Sequence, residues 1–265
     1  MKKYLASGIN DHINSIKKPM TWLFIGFMDV SLKYKRTILG PWWNTLGIAL
    51  IISVLSSIWA SLLKTDINFF IPYFTIGFIV WSWFSSTLID TSKCLVEVEG
   101  LIKQVNIPLS SHLLRVSIRN FIIFLHNFVL VLFVIYSFNL DVMTLELISF
   151  SLPGIILIFF SMNSLGIILA LLSLRYRDIG NLIFFVLQIL FFLTPVLWHP
   201  DILDKHVSIV EMNLMYYWVD IIRQPILGLD IHNNSLMIIT ISTIILLIIS
   251  FYMTGKYKNR LIYWL

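Results

Sequence analysis

The stretch 37-TILGPWWNTLGIALIISVLSSIWASLL-63 decides the fold. It contains no Asp, Glu, Lys or Arg. A helix rises about 1.5 Å per residue, so roughly 20 apolar residues cross a hydrocarbon core about 30 Å thick. Inside that core every backbone N–H and C=O has to be bonded within the segment, and for one continuous apolar run this means an α-helix.

The same pattern recurs over 67–89, 147–174, 179–198 and 235–255, again without a charged side chain, and over 120–140, where His126 alone is ionisable apart from tyrosine. The whole chain is 58% hydrophobic and 12% charged over 265 residues, against roughly 25% charged in a soluble domain. No polar stretch is long enough to build its own core. The expected fold class is therefore all-α: a polytopic integral membrane protein of six transmembrane helices, forming a single membrane domain over 1–265.

The basic residues orient those spans. Residues 1–36, 90–119, 175–178 and 256–265 hold 16 of the 19 Lys and Arg, leaving Lys64, Lys205 and Arg223 for the other connections. The positive-inside rule then predicts cytoplasmic N- and C-termini. Residues 1–36 carry Leu5, Ile9, Ile13 and Ile16 at helical spacing, then an apolar run from Trp22 to Val30, and read as an amphipathic interface helix on the cytoplasmic surface. Residues 90–119 form the other large inner loop, with room for a short docking helix. Outside, 199–234 mixes Tyr216, Tyr217 and Trp218 into apolar sequence and reads as a re-entrant segment between spans 5 and 6. The net charge of +5 lies where anionic headgroups would meet it, which argues against nucleic acid as a partner. After Met1, Lys2 and Lys3 the chain continues with polar residues, unlike a cleaved secretory signal. Cys94 is the only cysteine, so an intrachain disulfide or a thiolate metal cluster is excluded.

No motor is encoded. A phosphate-binding Gly-x-x-x-x-Gly-Lys-Ser/Thr run is missing: Gly255-Lys256 is followed by Tyr257, with Ser250 where the first glycine belongs. His126 reads either as a helix-packing residue or as a proton relay. His199, Asp201, Asp204 and His206 match no familiar metal-ligand spacing and read as a solvated loop, so no metal site is expected. Asn233-Asn234-Ser235 fits a glycosylation acceptor and is given no role.

The aromatic residues carry more. Sugars lay their C–H faces on aromatic rings, and Phe70, Phe74, Phe78 and Trp81 share one helix face, with Tyr73, Gly77 and Phe84 beside it. That stripe could line a polysaccharide path; lipid contact and helix packing produce the same pattern. Ser53, Ser57, Ser61 and Ala60, like Gly166 and Ala170, form small-residue faces suited to close helix approach. Lys33, Lys35, Arg36, Arg175 and Arg177 fall at cytoplasmic ends of spans, where they could receive a pyrophosphate through charge-assisted bonds or simply obey the topology rule.

Several of these patterns occur together. Asp29, then 34-YKRTILGPWW-43, 101-LIKQV-105 with Ile107-Pro108, 175-RYRDI-179 and 194-TPVLW-198 resemble the permease subunit of ABC-2 type polysaccharide exporters, the group that exports O-antigen, capsule and teichoic acid. One departure is Asn213-Leu214, where that family often has Asn-Pro, which bears on the geometry of the external segment. The resemblance implies a homodimer in the bacterial inner membrane, joined to two separate nucleotide-binding ATPase subunits that carry ATP and Mg, with no cofactor on this chain. It implies a channel passing an undecaprenyl-diphosphate-linked polysaccharide, as in lipopolysaccharide biosynthesis, with Trp42 and Trp43 joining the channel-lining candidates. It also makes 90–109 and the N-terminal helix the elements touching the ATPase, with Glu97, Glu99, Leu101 and Lys103 as coupling candidates. The competing reading is an integral-membrane glycosyl or acyl transferase built on His126, Asp90, Glu97 and Glu99, for which no loop supplies a paired-carboxylate metal motif.

Overall fold

The structure is a computed structural model describing residues 1–140, 147–200, 210–232 and 234–264. Among the described residues all regular structure is helical. The order is α1 Lys2–Ile16, α2 Leu23–Lys33, α3 Trp42–Leu63, α4 Ile67–Glu97, α5 Glu99–Gln104, α6 Leu109–Ser137, α7 Leu152–Arg175, α8 Ile179–Leu193, α9 Leu214–Leu227, α10 Ser235–Tyr257 and α11 Leu261–Trp264.

Among the described residues five helices are long and apolar enough to cross a membrane: α3, α4, α6, α7 with the turn before it, and α10 with the turn after it. The run 179–198, expected as a full span, stops as a helix after 15 residues at Leu193. Pro195 is the cause. Its ring lacks an N–H and excludes a helical conformation at the preceding residue, and Thr194 is accordingly extended at φ −88°, ψ 134°.

Helix α4 is the hub. Of its apolar window 67% is buried by other helices, against 22% for α3 and 17% for α10, which leaves those two facing outward. Its 31 residues span roughly 46 Å at about 1.5 Å each, longer than a bilayer core, so the helix continues past Ile89 into residues expected as inner loop. Likewise α6 begins at Leu109, and the loop 90–119 shrinks to α5 and its flanks.

Helix α1 turns its polar side to the protein. Gly8, Asp11 and Ser15 are buried, while Ile9, Ile13 and Ile16 are 40–58% exposed, the arrangement of a helix whose apolar stripe meets lipid. It is docked on α10 through two glycines. A Cβ on Gly8 would collide with the Phe251 backbone, and one on Gly255 with the Tyr4 backbone. Asp11, fully buried, then accepts from Ser110 N (3.0 Å), Ser110 Oγ (2.9 Å) and Leu109 N (3.4 Å), capping the first turn of α6. Lys258 Nζ approaches the same carboxylate at 2.9 Å. Helix α2 is held by a two-pronged bond from Arg115 to Asp29, 2.6 and 2.7 Å, while Phe24, Phe27 and Met28 stay exposed.

Candidate functional site

Residues Phe78, Ser82, Ser85, Ile89, Ser92 and Val96 recur every three or four positions along one face of α4, and Gly180, Phe184, Leu187, Gln188 and Phe191 do so on α8. A pair of cavities, open to the surroundings, lies between the two faces. The larger, about 530 Å³, has Phe78, Trp81, Phe184, Phe191 and Phe192 as aromatic walls, with Ser82, Ser85 and Gln188 as its polar groups. Trp81 and Phe191 stand 5.3 Å apart between ring centroids, and Phe78 and Phe191 6.1 Å. The second cavity, about 300 Å³, lies toward the C-terminal end of α4 and is lined by Lys93, Glu97, Arg177, Asn181 and neighbours. Aromatic faces with hydroxyls and an amide suit a sugar; the charged end suits water and ions.

The aromatic candidates therefore divide. Phe78 and Trp81 line the large cavity, whereas Phe70, Tyr73, Phe74 and Phe84 are buried inside the bundle. Trp42 and Trp43 are about half exposed at the start of α3. Trp42 meets His126 edge-on at 6.1 Å, and the His126 Nδ1 proton is donated to Ile122 O at 2.8 Å. Of the coupling candidates, Glu99 accepts from Lys103 at 2.7 Å and lies 3.7 Å from Arg177, so one end of the pyrophosphate set and the α5 carboxylate meet beside Glu97. The Lys103 bond holds Glu99 below the usual carboxylate range. Leu101 is exposed on α5. Arg175 lies over the rings of Tyr176 and Trp264 at 5.4 and 5.5 Å. Lys33, Lys35 and Arg36 are exposed around the end of α2, and none of the three is in an ion pair among the described residues. Of the four-residue loop cluster, His199 is described, its ring 5.4 Å from that of Tyr73. Asp201, Asp204 and His206 lie outside the described residues, as does Asn233.

The reading of Arg223 as an outer-loop cation missed its position. It is completely buried on α9, with Nη1 donating to Pro195 O at 2.7 Å and the guanidinium 3.8 Å above the Tyr73 ring. Tyr73 Oη reaches the same carbonyl at 3.1 Å and that of Trp198 at 3.0 Å. Gly77 leaves the room: a Cβ there would lie 3.3 Å from Nη1. Nε and Nη2 are buried without a hydrogen-bond partner among the described residues. The helix break is thus pinned by a cation and a phenol, because a free carbonyl away from water is costly. A Thr-Pro at the end of an apolar run was the available signal for the break; nothing local announced its partner.

Polar pairs inside the bundle were missed as well. Asp90 Oδ2 accepts from Arg119 at 2.7 Å and Asn120 at 3.0 Å, and Asn127 Oδ1 accepts from Asn44 at 3.1 Å and Thr45 at 3.0 Å. Asn163 donates to Ser117 at 3.0 Å. Among the described residues no group of three His, Cys, Asp or Glu could hold a metal ion.

A comparison with curated proteins found no match. The sequence model of the ABC-2 type transporter family matches residues 19–227, from the turn before α2 through the end of α9. The match includes both walls of the cavities, the α5 carboxylate and the pinned break. This chain, apolar and multi-helical, belongs to the ABC-2 type transporter family and is a membrane permease of that family.

Proposed function

We propose that the chain is the membrane-spanning subunit of an ATP-driven exporter that moves lipid-linked polysaccharide of the O-antigen kind out of the cytoplasm of a bacterium. The observation that carries this reading is the cavity between α4 and α8, whose walls combine five aromatic rings with hydroxyl and amide groups. A permease for purely apolar cargo has no need of that mixture. Such a site suits binding by ring stacking and hydrogen bonding.

In this reading α8 and the irregular segment 194–198 make the remaining crossing, and α9 is the re-entrant element on the outer side. Both termini are then cytoplasmic. Two copies of the chain work with two separate ATPase subunits in the bacterial inner membrane. Those subunits dock on α5, where Glu99, Lys103 and Arg177 are linked, and on the α1 side. The carrier is an undecaprenyl diphosphate, and the cations Lys33, Lys35, Arg36, Arg175 and Arg177 receive its phosphates at the headgroup level.

The test is reconstitution of the chain with its ATPase partner into vesicles and measurement of ATP-dependent transfer of a radiolabelled lipid-linked glycan. Trp81→Ala and Phe191→Ala should each lower transfer while leaving assembly intact. Transfer unchanged in both, or transfer by the chain without any ATPase, overturns the proposal.

A further inference from the structure

A third cavity lies on the adjoining face of α4, among α3, α4 and α6, with a volume of about 290 Å³, at the lower end of the roughly 300–1,000 Å³ range of ligand sites. Its walls are unusual for a chain with so few polar residues in its spans. Asn44 comes from α3, Ser82, Ser86 and Asp90 from α4, and Asn120 and Asn127 from α6. Lys33, at the end of α2, closes the set, and its place is fixed by the Asp29 to Arg115 bond one turn earlier.

This cluster leaves hydrogen-bonding capacity over. Asn127 uses Oδ1 for Asn44 and Thr45, so its two Nδ2 protons remain. Asp90 uses Oδ2 for Arg119 and Asn120, so Oδ1 remains, as does Asn120 Oδ1. Ser82 and Ser86 spend their protons on helix carbonyls and keep lone pairs. Asn120 and Asn127 are each 4% exposed and the Asp90 side chain 36%, so these leftover groups are open only where the cavity reaches them, ready for the hydroxyls of a bound molecule. Trp83 and Phe124, stacked at 4.4 Å between centroids, supply the apolar wall, and the Trp83 Nε1 proton is itself buried without a partner among the described residues.

We propose that this cavity binds a hydroxyl-bearing phosphate ester at the cytoplasmic membrane surface, its hydroxyls on the Asn127, Asn120 and Asp90 groups and its phosphate on Lys33. The mix of spare donors and acceptors fits hydroxyls, which do both; the aromatic wall fits the C–H face of a sugar ring. Lys33, on the lining, lies 5.7 Å from the Tyr34 ring centroid and is in no ion pair among the described residues, so its charge fits the phosphate. That the ester is a sugar phosphate on a lipid tail rests on the exporter reading above; a free sugar phosphate shares the chemistry. Ser82 and Phe78 also line the larger α4 and α8 cavity, so a headgroup held here adjoins the aromatic site.

The experiment uses the chain with its ATPase partner in lipid nanodiscs, carrying Ser86→Cys and, separately, Ser82→Cys as reporters. Cys94, 3% exposed, gives little background. Maleimide labelling is followed with dodecyl phosphate-linked N-acetylglucosamine, dodecyl phosphate, or glucose 1-phosphate as probe. The tailed sugar phosphate should protect both reporters, with Ser53→Cys on the exposed side of α3 unprotected. Lys33→Gln should weaken protection about tenfold, equivalent to ~1.4 kcal/mol, and Asn127→Leu should reduce the sugar phosphate to the level of dodecyl phosphate. Protection by glucose 1-phosphate alone upholds the site and assigns it a soluble ester. Equal protection by dodecyl phosphate and the sugar phosphate overturns the hydroxyl pocket, and no protection by any probe overturns the site. Binding is read without transport, so protection in a chain that exports no glycan sinks only the exporter reading.

Discussion

Replacing Gly255 or Gly8 with alanine tests whether α1 is part of the folded transporter or a helix resting on it. At both positions the added Cβ meets backbone atoms of the facing helix, Tyr4 for Gly255 and Phe251 for Gly8. Backbone cannot swing aside as a side chain can, so α1 and α10 have to separate. Overpacking of this kind costs about 1–3 kcal/mol, which shifts a docked population by roughly 5- to 150-fold. Separation also pulls Asp11 from Ser110 and Leu109, so the loss should fall toward the upper end. The assay is amide hydrogen exchange over residues 2–16 in the detergent-solubilised chain. Exchange should accelerate in Gly8→Ala and Gly255→Ala, while Gly100→Ala, where a Cβ meets nothing within 4 Å, should leave it unchanged. Wild-type exchange in both tight-contact variants would refute the docked arrangement.

Four further outcomes follow from the same geometry. Asp11→Ala should lower thermal stability by about 1.5–3 kcal/mol, the range for bonds to a charged group, because three donors at the start of α6 lose their acceptor; a melting temperature within error of wild type would contradict this. Burial against Phe251 pushes His12 below its ordinary 6.5, outweighing the upward pull of the Gly8 carbonyl and Asp11. The neutral ring is the docked form, so α1 protection should be complete above that pH and lost as pH falls through the lowered folded value, a trend that His12→Gln should flatten in exchange measurements. Tyr73→Phe removes the hydroxyl shared by the Pro195 and Trp198 carbonyls and should destabilise the chain by about 1–3 kcal/mol, read by denaturation in detergent. Glu99→Lys should leave folding intact, since an exposed ion pair contributes roughly 0–1 kcal/mol, yet reduce export per ATP hydrolysed; undiminished coupling in this variant and in Glu97→Lys would remove α5 from the ATPase contact.

The apolar runs made α3, α6, α7 and α10 legible because lipid demands long uncharged helices whatever their neighbours. Helix ends were less so. Asp90 looked like the start of a loop, but a carboxylate satisfied by Arg119 and Asn120 does not end a helix. Pairings such as Asn127 with Asn44 join residues more than 80 positions apart, and no local pattern carries them. The aromatic stripe on α4 was readable as a stripe; which part faces a cavity and which part the core depends on α8, α9 and the 194–198 segment, which periodicity along α4 cannot reveal. Arg223 shows the limit most sharply, because a lone cation in a connecting segment reads as surface until its carbonyl partner is located.

The early stop of α8 has a consequence for the surrounding bilayer. Fifteen residues reach about 22 Å, short by roughly a quarter of a 30 Å hydrocarbon layer. In the proposed crossing the irregular segment 194–198 makes up the difference, so lipid beside the exposed Phe185 and Ile189 meets a shortened helical wall, and a local thinning of the layer accommodates it at modest cost.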